Sequence, residues 1–331
     1  MRISFGKVLG ACVFLLVVAA GSAAWWLFTP LAMPQGGVEV SIEPGTSPKE
    51  VAFAMARSGV AVNPYLLYGW FRASGQSRLI RAGSYEWTAP SSPADMLEKL
   101  VRGDATSGSV TLVEGWNIRQ MRQALRQAER LRPDTASWTD AQLMQALERP
   151  GVHPEGRFFP DTYTYAKGSS DLAVLRRALH AMDRQLAQAW EQRNPKIPLQ
   201  TPDQALVLAS IIEKETGARK DQAAISAVFH NRLMLGMRLQ TDPTVIYGMA
   251  ERFDGDLRKA DLSFDTPYNT YTRAGLPPTP IAMPGKPALW AALHPAPSKD
   301  LYFVARGDGS SQFSATLEEH NRAVNKYQRG H

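Results

Sequence analysis

Residues Val8 to Phe28, VLGACVFLLVVAAGSAAWWLF, contain no charged side chain. At roughly 1.5 Å per residue, a helix of this length spans about 30 Å of hydrocarbon. Arg2 and Lys7 precede it, and no acid appears until Glu39. That asymmetry predicts a cytoplasmic N-terminus and an exported remainder, with Trp25 and Trp26 at the outer interface. A cleaved signal peptide is the alternative, since the small residues from Ala20 to Ala24 offer a processing site. The apolar run continues through Trp-Trp-Leu-Phe, which favours a retained single-pass anchor, and on either reading the working part lies outside the cytoplasm. The sequence therefore divides into a stub and anchor (1–30), a Pro- and Gly-containing linker (31–37) and a folded remainder from Val38.

The 331 residues suffice for about two domains. A net charge of +6 permits an anionic polymer or lipid surface as partner, but the basic residues are scattered among acids, so nucleic acid is not expected. The single cysteine, Cys12, lies inside the apolar run, which excludes an intramolecular disulfide. Six dispersed histidines without HExxH spacing give no reason to expect a metal, and nothing calls for an organic cofactor.

The folded part reads as α+β. VSIEPGTSPKEVAFAM (Val40 to Met55) resembles VTLVEGWNIRQMRQAL (Val110 to Leu125), aligning Gly45 with Gly115, and each copy reads as strand, glycine turn and amphipathic helix. IRAGSYEW (Ile80 to Trp87) reads as a strand, and Ser92 with Asp95 opens another helix. EGRFFPDTYTYAKG (Glu155 to Gly168) is aromatic and interrupted by Pro160 and Asp161. Aromatic faces beside a carboxylate suit sugar rings, which makes Phe159 and Asp161 candidate contacts, but the residues by themselves read first as a hairpin packed on a core. LYFVARGDGSSQFSAT reads as a hairpin turning at Gly307-Asp308-Gly309, followed by a helix from Thr316 with Glu319 completing a capping box.

The chemistry concentrates in LASIIEKETG (Leu208 to Gly217). Thr201, Pro202 and Gln204 predict the helix start and Gly217 its stop. At 100° per residue, Val207, Leu208, Ile211 and Ile212 share one face, with Glu215 near its centre and Glu213 at its margin. A carboxyl so placed loses hydration and stays protonated, as a general acid requires. Neutralisation of Glu215 by an arginine, or fraying of the last turn, is the competing account.

ASIIEKETG, SAVFHNRLMLGMRLQTDPTVIYG and TPYNTYTRAGLPPTPIAMPG, in that order, resemble the MltG/YceG-like family of membrane-anchored endolytic murein transglycosylases. The resemblance covers essentially the whole chain. It implies a LysM-like α+β module over 38–109 and a catalytic domain over 110–331 with a lysozyme-like glutamate helix and β-hairpins. Glu215-Thr216 resembles the Glu-Ser signature of lysozyme-like transglycosylases, which makes Glu215 the catalytic acid. The implied reaction cleaves the bond between N-acetylmuramic acid and N-acetylglucosamine without water, leaving a 1,6-anhydromuramyl end. Gln240, Asp242, Tyr247, Tyr268, Asn269, Thr270 and Tyr271 are then candidate cleft residues, with Glu213 tuning the acid or serving a structural ion pair. Peptidoglycan strands and penicillin-binding proteins of the cell-wall synthesis machinery are the implied partners. A non-catalytic murein-binding protein and a lysozyme-type hydrolase with Asp242 as base stay open.

Overall fold

The computed structural model describes residues 5–34, 37–43, 45–103, 107–215 and 219–328, without the side chains of residues 5–12 and 107. The chain divides into two units. The first comprises Met1–Ser109, Glu129–Arg132 and Thr164–Ser169; the second comprises Val110–Ala128, Pro133–Tyr163 and Ser170–His331.

The first unit starts with α1 (Phe5–Phe28), followed by β1 (Val38–Ile42), α2 (Pro48–Arg57), α3 (Pro64–Ala73), β2 (Gly83–Trp87) and α4 (Pro93–Arg102). Proline opens α2, α3 and α4, where its missing N–H costs nothing, and Ser47, Asn63 and Ser92 accept first-turn amides in front of it. β1 and β2 run antiparallel with Val40 opposite Tyr85. Val38, Val40 and Ile42 alternate inward onto Met55, Leu67, Phe71 and Leu100. Among the described residues no helix is long and apolar enough to cross a membrane. The side chains of α1 are described only from Val13 to Phe28, short of the roughly 20 apolar residues a crossing needs. Cys12 lies outside the described side chains.

β3 (Ser107–Thr111) pairs with β4 (Thr162–Ala166). EGRFFPDTYTYAKG is therefore not a local hairpin: only β4 in it is extended, and its partner comes from far earlier in the chain. Strand pairing of this kind depends on tertiary placement, which local patterning does not encode.

The second unit continues with α5 (Ile118–Gln127), α6 (Asp140–Ala146), α7 (Asp171–Glu191), α8 (Pro202–Glu215), α9 (Gln222–Met234), α10 (Asp242–Met249), α11 (Lys259–Ser263) and α12 (Lys286–Leu293). It ends with β5 (Tyr302–Ala305), β6 (Ser311–Ser314) and α13 (Leu317–Gln328). The hairpin of β5 and β6 turns through Gly307 and Gly309, both at positive φ, and α13 has the Thr316–Glu319 cap that its sequence predicts. The two resembling segments fold alike. In each, a strand leads to a left-handed glycine (Gly45, φ 89°; Gly115, φ 77°) and then to a capping box, Ser47 with Glu50 or Asn117 with Gln120.

The core of the second unit is built around α8, which packs against α7, α9, α10 and α12. Every residue of α8 from Ala205 to Ile212 is buried. A helix apolar on all sides is stable only when enclosed on all sides. Leu208→Ala in this helix is expected to lower unfolding free energy by about 2–5 kcal/mol. Leu66→Ala on α3, where the side chain is 59% exposed, should change it by less than about 0.5 kcal/mol. Urea denaturation of both variants checks the contrast.

Candidate active site

The enclosure of α8 corrects the predicted single apolar face. Ser210 is the one polar residue in its buried run, and its hydroxyl is fully used: it donates to Val207 O (2.7 Å) and accepts from Ile281 N (3.0 Å). At the start of the helix, Gln204 N donates to Thr201 Oγ1, but the Gln204 amide reaches back to Gln200 N and not to Thr201. The helix leaves the core in its last turn, and there its final side chains diverge. Lys214 is exposed. Glu213 turns to the start of α12, where its carboxylate accepts from Gly285 N (2.9 Å). Burial raises the Glu213 pKa, the Gly285 amide opposes that, and the Glu114 charge adds to it. Gly285 also leaves room for Glu114, whose Oε1 would lie 2.1 Å from a Cβ at that position. Thr216 and Gly217 lie outside the described residues.

Lys214 borders a separate pocket of about 390 Å³ that Tyr247 also lines, whereas Glu215 lines a cleft of about 560 Å³ with Arg232, Gln240, Asp242, Tyr271, Tyr302 and His320. Loss of hydration raises its pKa from 4.5 to about 7. The Thr241 hydroxyl, which donates to Glu215 Oε1, holds it lower than burial alone would; the Asp242 charge raises it and the Arg232 charge lowers it.

Thr241 is itself placed by two contacts whose partners are joined by a third. Its N–H donates to Thr270 Oγ1 (3.0 Å), its carbonyl accepts from Thr244 Oγ1 (2.7 Å), and the Thr244 and Thr270 hydroxyls meet at 2.8 Å. The residue before it, Gln240, has φ 50°, a left-handed conformation costing about 1–3 kcal/mol outside glycine. Asp242 begins α10 and accepts from Tyr271 OH (2.6 Å). Burial and that carboxylate push the Tyr271 pKa up.

Of the sequence candidates, Glu215, Gln240, Asp242 and Tyr271 line one cleft. Thr270 sits behind it through Thr241. Asn269 is fully buried; its Nδ2 donates to Leu262 O and Phe264 O, so it shapes the loop. Tyr247 and Tyr268 pack edge to face at 4.8 Å outside the cleft lining, with the Tyr247 OH donating to Glu155 Oε2 (3.0 Å) and the Tyr268 OH paired with Thr279. Phe159 packs on the core of the second unit, and Asp161 is exposed with its carboxylate accepting from Thr162 N. Neither lines the cleft, because the tertiary fold carries their segment to the other strands and helices it packs with.

Sequence reasoning passed over Thr241, Arg232, Tyr302 and His320. Arg232 is 8% exposed and donates to Leu301 O (2.7 Å) and Leu239 O (2.8 Å), and its guanidinium lies 5.2 Å from the Tyr302 ring centroid. Glu155 was also passed over. It is fully buried, accepts from Ile118 N at the start of α5, and burial raises its pKa to about 7. It ties α5 to α10 outside the cleft. Among the described residues no cluster of His, Cys, Asp and Glu is arranged to hold a metal ion.

A carboxyl whose folded pKa is raised favours the folded state in its protonated form. Its stabilising contribution is full below about 4.5 and is lost as pH rises through about 7. Glu155 titrates in the same window and cancels in a comparison with Glu215→Gln. The stability of the native chain relative to Glu215→Gln is therefore expected to fall between these pH values, as read by urea denaturation at each pH.

The sequence matches the YceG-like family over residues 40–326. It is 30% identical over 307 residues to an endolytic murein transglycosylase of Bacillus subtilis (strain 168), covering 88% of this chain and 84% of that protein. It is 25% identical to an endolytic murein transglycosylase of Streptococcus pneumoniae (serotype 2, strain D39 / NCTC 7466), covering 96% of this chain but 64% of the longer relative. A crystal structure of a YceG-like protein from Listeria monocytogenes superposes with a TM-score of 0.55 at 29% identity, covering 87% of this chain and 99% of that one. The chain belongs to the YceG-like family.

Proposed function

We propose that this chain is an endolytic murein transglycosylase that cuts peptidoglycan glycan strands and uses Glu215 as its acid and base. The observation that carries this reading is one carboxyl, desolvated to a pKa of about 7, in the lining of an open polar cleft. A group half-protonated near neutrality gives up a proton and takes one back with little penalty either way. Glu215 protonates the glycosidic oxygen between N-acetylmuramic acid and N-acetylglucosamine, and the bond to muramyl C1 breaks. The resulting carboxylate accepts the proton of the muramyl 6-hydroxyl, whose oxygen closes onto C1. No water is consumed, and the chain end is 1,6-anhydromuramyl. Gln240 and Tyr271 are placed to hold the sugar, and Arg232 with Thr241 steadies the carboxylate between the two steps.

Asp242 in the same cleft supports a second reading, a lysozyme-type hydrolase in which a second carboxylate activates water or attacks C1. The products separate the two.

The β1-α2-α3-β2 order of the first unit supports a LysM-like murein-binding module. The apolar side chains from Val13 to Val18 are 48–69% exposed on α1, which supports its assignment as an anchor seated in the inner membrane, with the cleft on the periplasmic side.

Full-length chain in detergent, incubated with purified glycan strands, is expected to release fragments ending in anhydro sugar. Fragments heavier by one water, with reducing ends, establish the hydrolase; no cleavage at all leaves a murein-binding protein. Glu215→Gln is expected to lower the rate by at least about 10²-fold, and Glu213→Gln by less than about tenfold. The rate of the native enzyme should decline as pH rises above about 7, when the acid is no longer protonated.

A further inference from the structure

α7 and α12 enclose a second, smaller pocket of about 160 Å³ in the second unit. Gln185 and Gln188 of α7 and Gln192 at its C-cap, spaced three and four residues apart, line it. Among the described residues, none of their three side-chain amides has a hydrogen-bond partner. Opposite them stand Lys286 and Trp290 of α12, over a floor that includes Leu289. Trp290 is 46% exposed, although Leu289 and Leu293 on the same helix are buried.

The indole is held in place before anything binds. His294 stacks on it at 3.7 Å and 11°. The His294 ring nitrogens lie 3.0 Å from Trp290 O and 2.8 Å from Gln192 O, which fixes the stack to the end of α7. Asn194 N donates to Leu293 O (3.0 Å) and closes the same corner. A ring already immobilised loses little conformational entropy on binding.

We propose that this pocket is an accessory site for one N-acetylated sugar ring of a glycan strand, distinct from the Glu215 cleft. The C–H face of a pyranose matches the apolar indole. Each glutamine amide offers both donors and an acceptor, the complement of hydroxyl and acetamide groups. At about 160 Å³ the space takes only part of one ring, whose remainder stays in solvent, and it is too small for a docked helix. One cation, Lys286, is too few for a lipid surface or nucleic acid, which need several. Choosing a murein strand as the source of the ring rests on the proposed function. Engagement here secures part of a strand away from the cut, so long strands gain affinity that short ones do not.

The test uses full-length Glu215→Gln, which cannot turn over, with ¹⁵N-labelled indoles and a tetramer of N-acetylglucosamine as probe. The Trp290 indole resonance, assigned by its loss in Trp290→Phe, is expected to shift and saturate. Gln188→Ala, an exposed helix position, should weaken that titration by about fivefold. In the otherwise native chain, the same substitution should raise KM for long strands by a similar factor and leave kcat on short strands unchanged. A Trp290 resonance that stays still up to saturating tetramer overturns the accessory site, and the enzyme reading stands if the otherwise native chain cleaves glycan strands. A responsive Trp290 in Glu215→Gln, with no strand cleaved by the otherwise native chain, sustains the accessory site and overturns the enzyme reading. An unchanged titration in Gln188→Ala also overturns the site.

Discussion

Removal of water from one carboxyl is the constraint on which the cleft depends. α8 carries eight consecutive small or apolar residues through the core and releases Glu215 only in its last turn. Dehydration by itself would drive the carboxyl towards permanent protonation, leaving an acid unable to let go. The Thr241 hydroxyl and the Arg232 charge oppose it, and the balance settles near neutrality. Three parts of the chain share this one setting: α8 supplies the acid, the turn before α10 supplies Thr241, and the loop after α11 supplies Thr270 to position Thr241.

The apolar setting of Glu215 was legible in the sequence, where the acid follows a nearly unbroken apolar run, although an ion pair or a frayed last turn fitted that run as well. The surroundings were less so. Periodicity needs contrast between polar and apolar positions, and Ala205 to Ile212 provides almost none, so enclosure on every side read as a single face. The side chains of Tyr247, Tyr268 and Asn269 suit a sugar and suit a turn equally well, and only the fold shows that they bond to Glu155, Thr279 and the carbonyls of Leu262 and Phe264. Arg232 was invisible for the opposite reason. An arginine in a helix is ordinarily solvated, whereas here backbone carbonyls of Leu239 and Leu301 replace the water. Family resemblance named the acid but carried no distances.

Local sequence rules held best where the interaction is itself local. The glycine turns at Gly45 and Gly115 and the capping boxes after them follow from residues within a few positions of one another. β4 fails the same test, since its partner strand lies about fifty residues away and its pairing is set by the packed unit, not by its own aromatic pattern.

The left-handed turn at Gln240 has a further bearing on the acid beside it. The chain takes this disfavoured direction immediately before Thr241, whose hydroxyl donates to Glu215. Relaxation of that torsion would swing the hydroxyl away and tighten the grip of Glu215 on its proton. The acidity of this group is thus a mechanical quantity, tuned by the twist of a backbone it does not belong to.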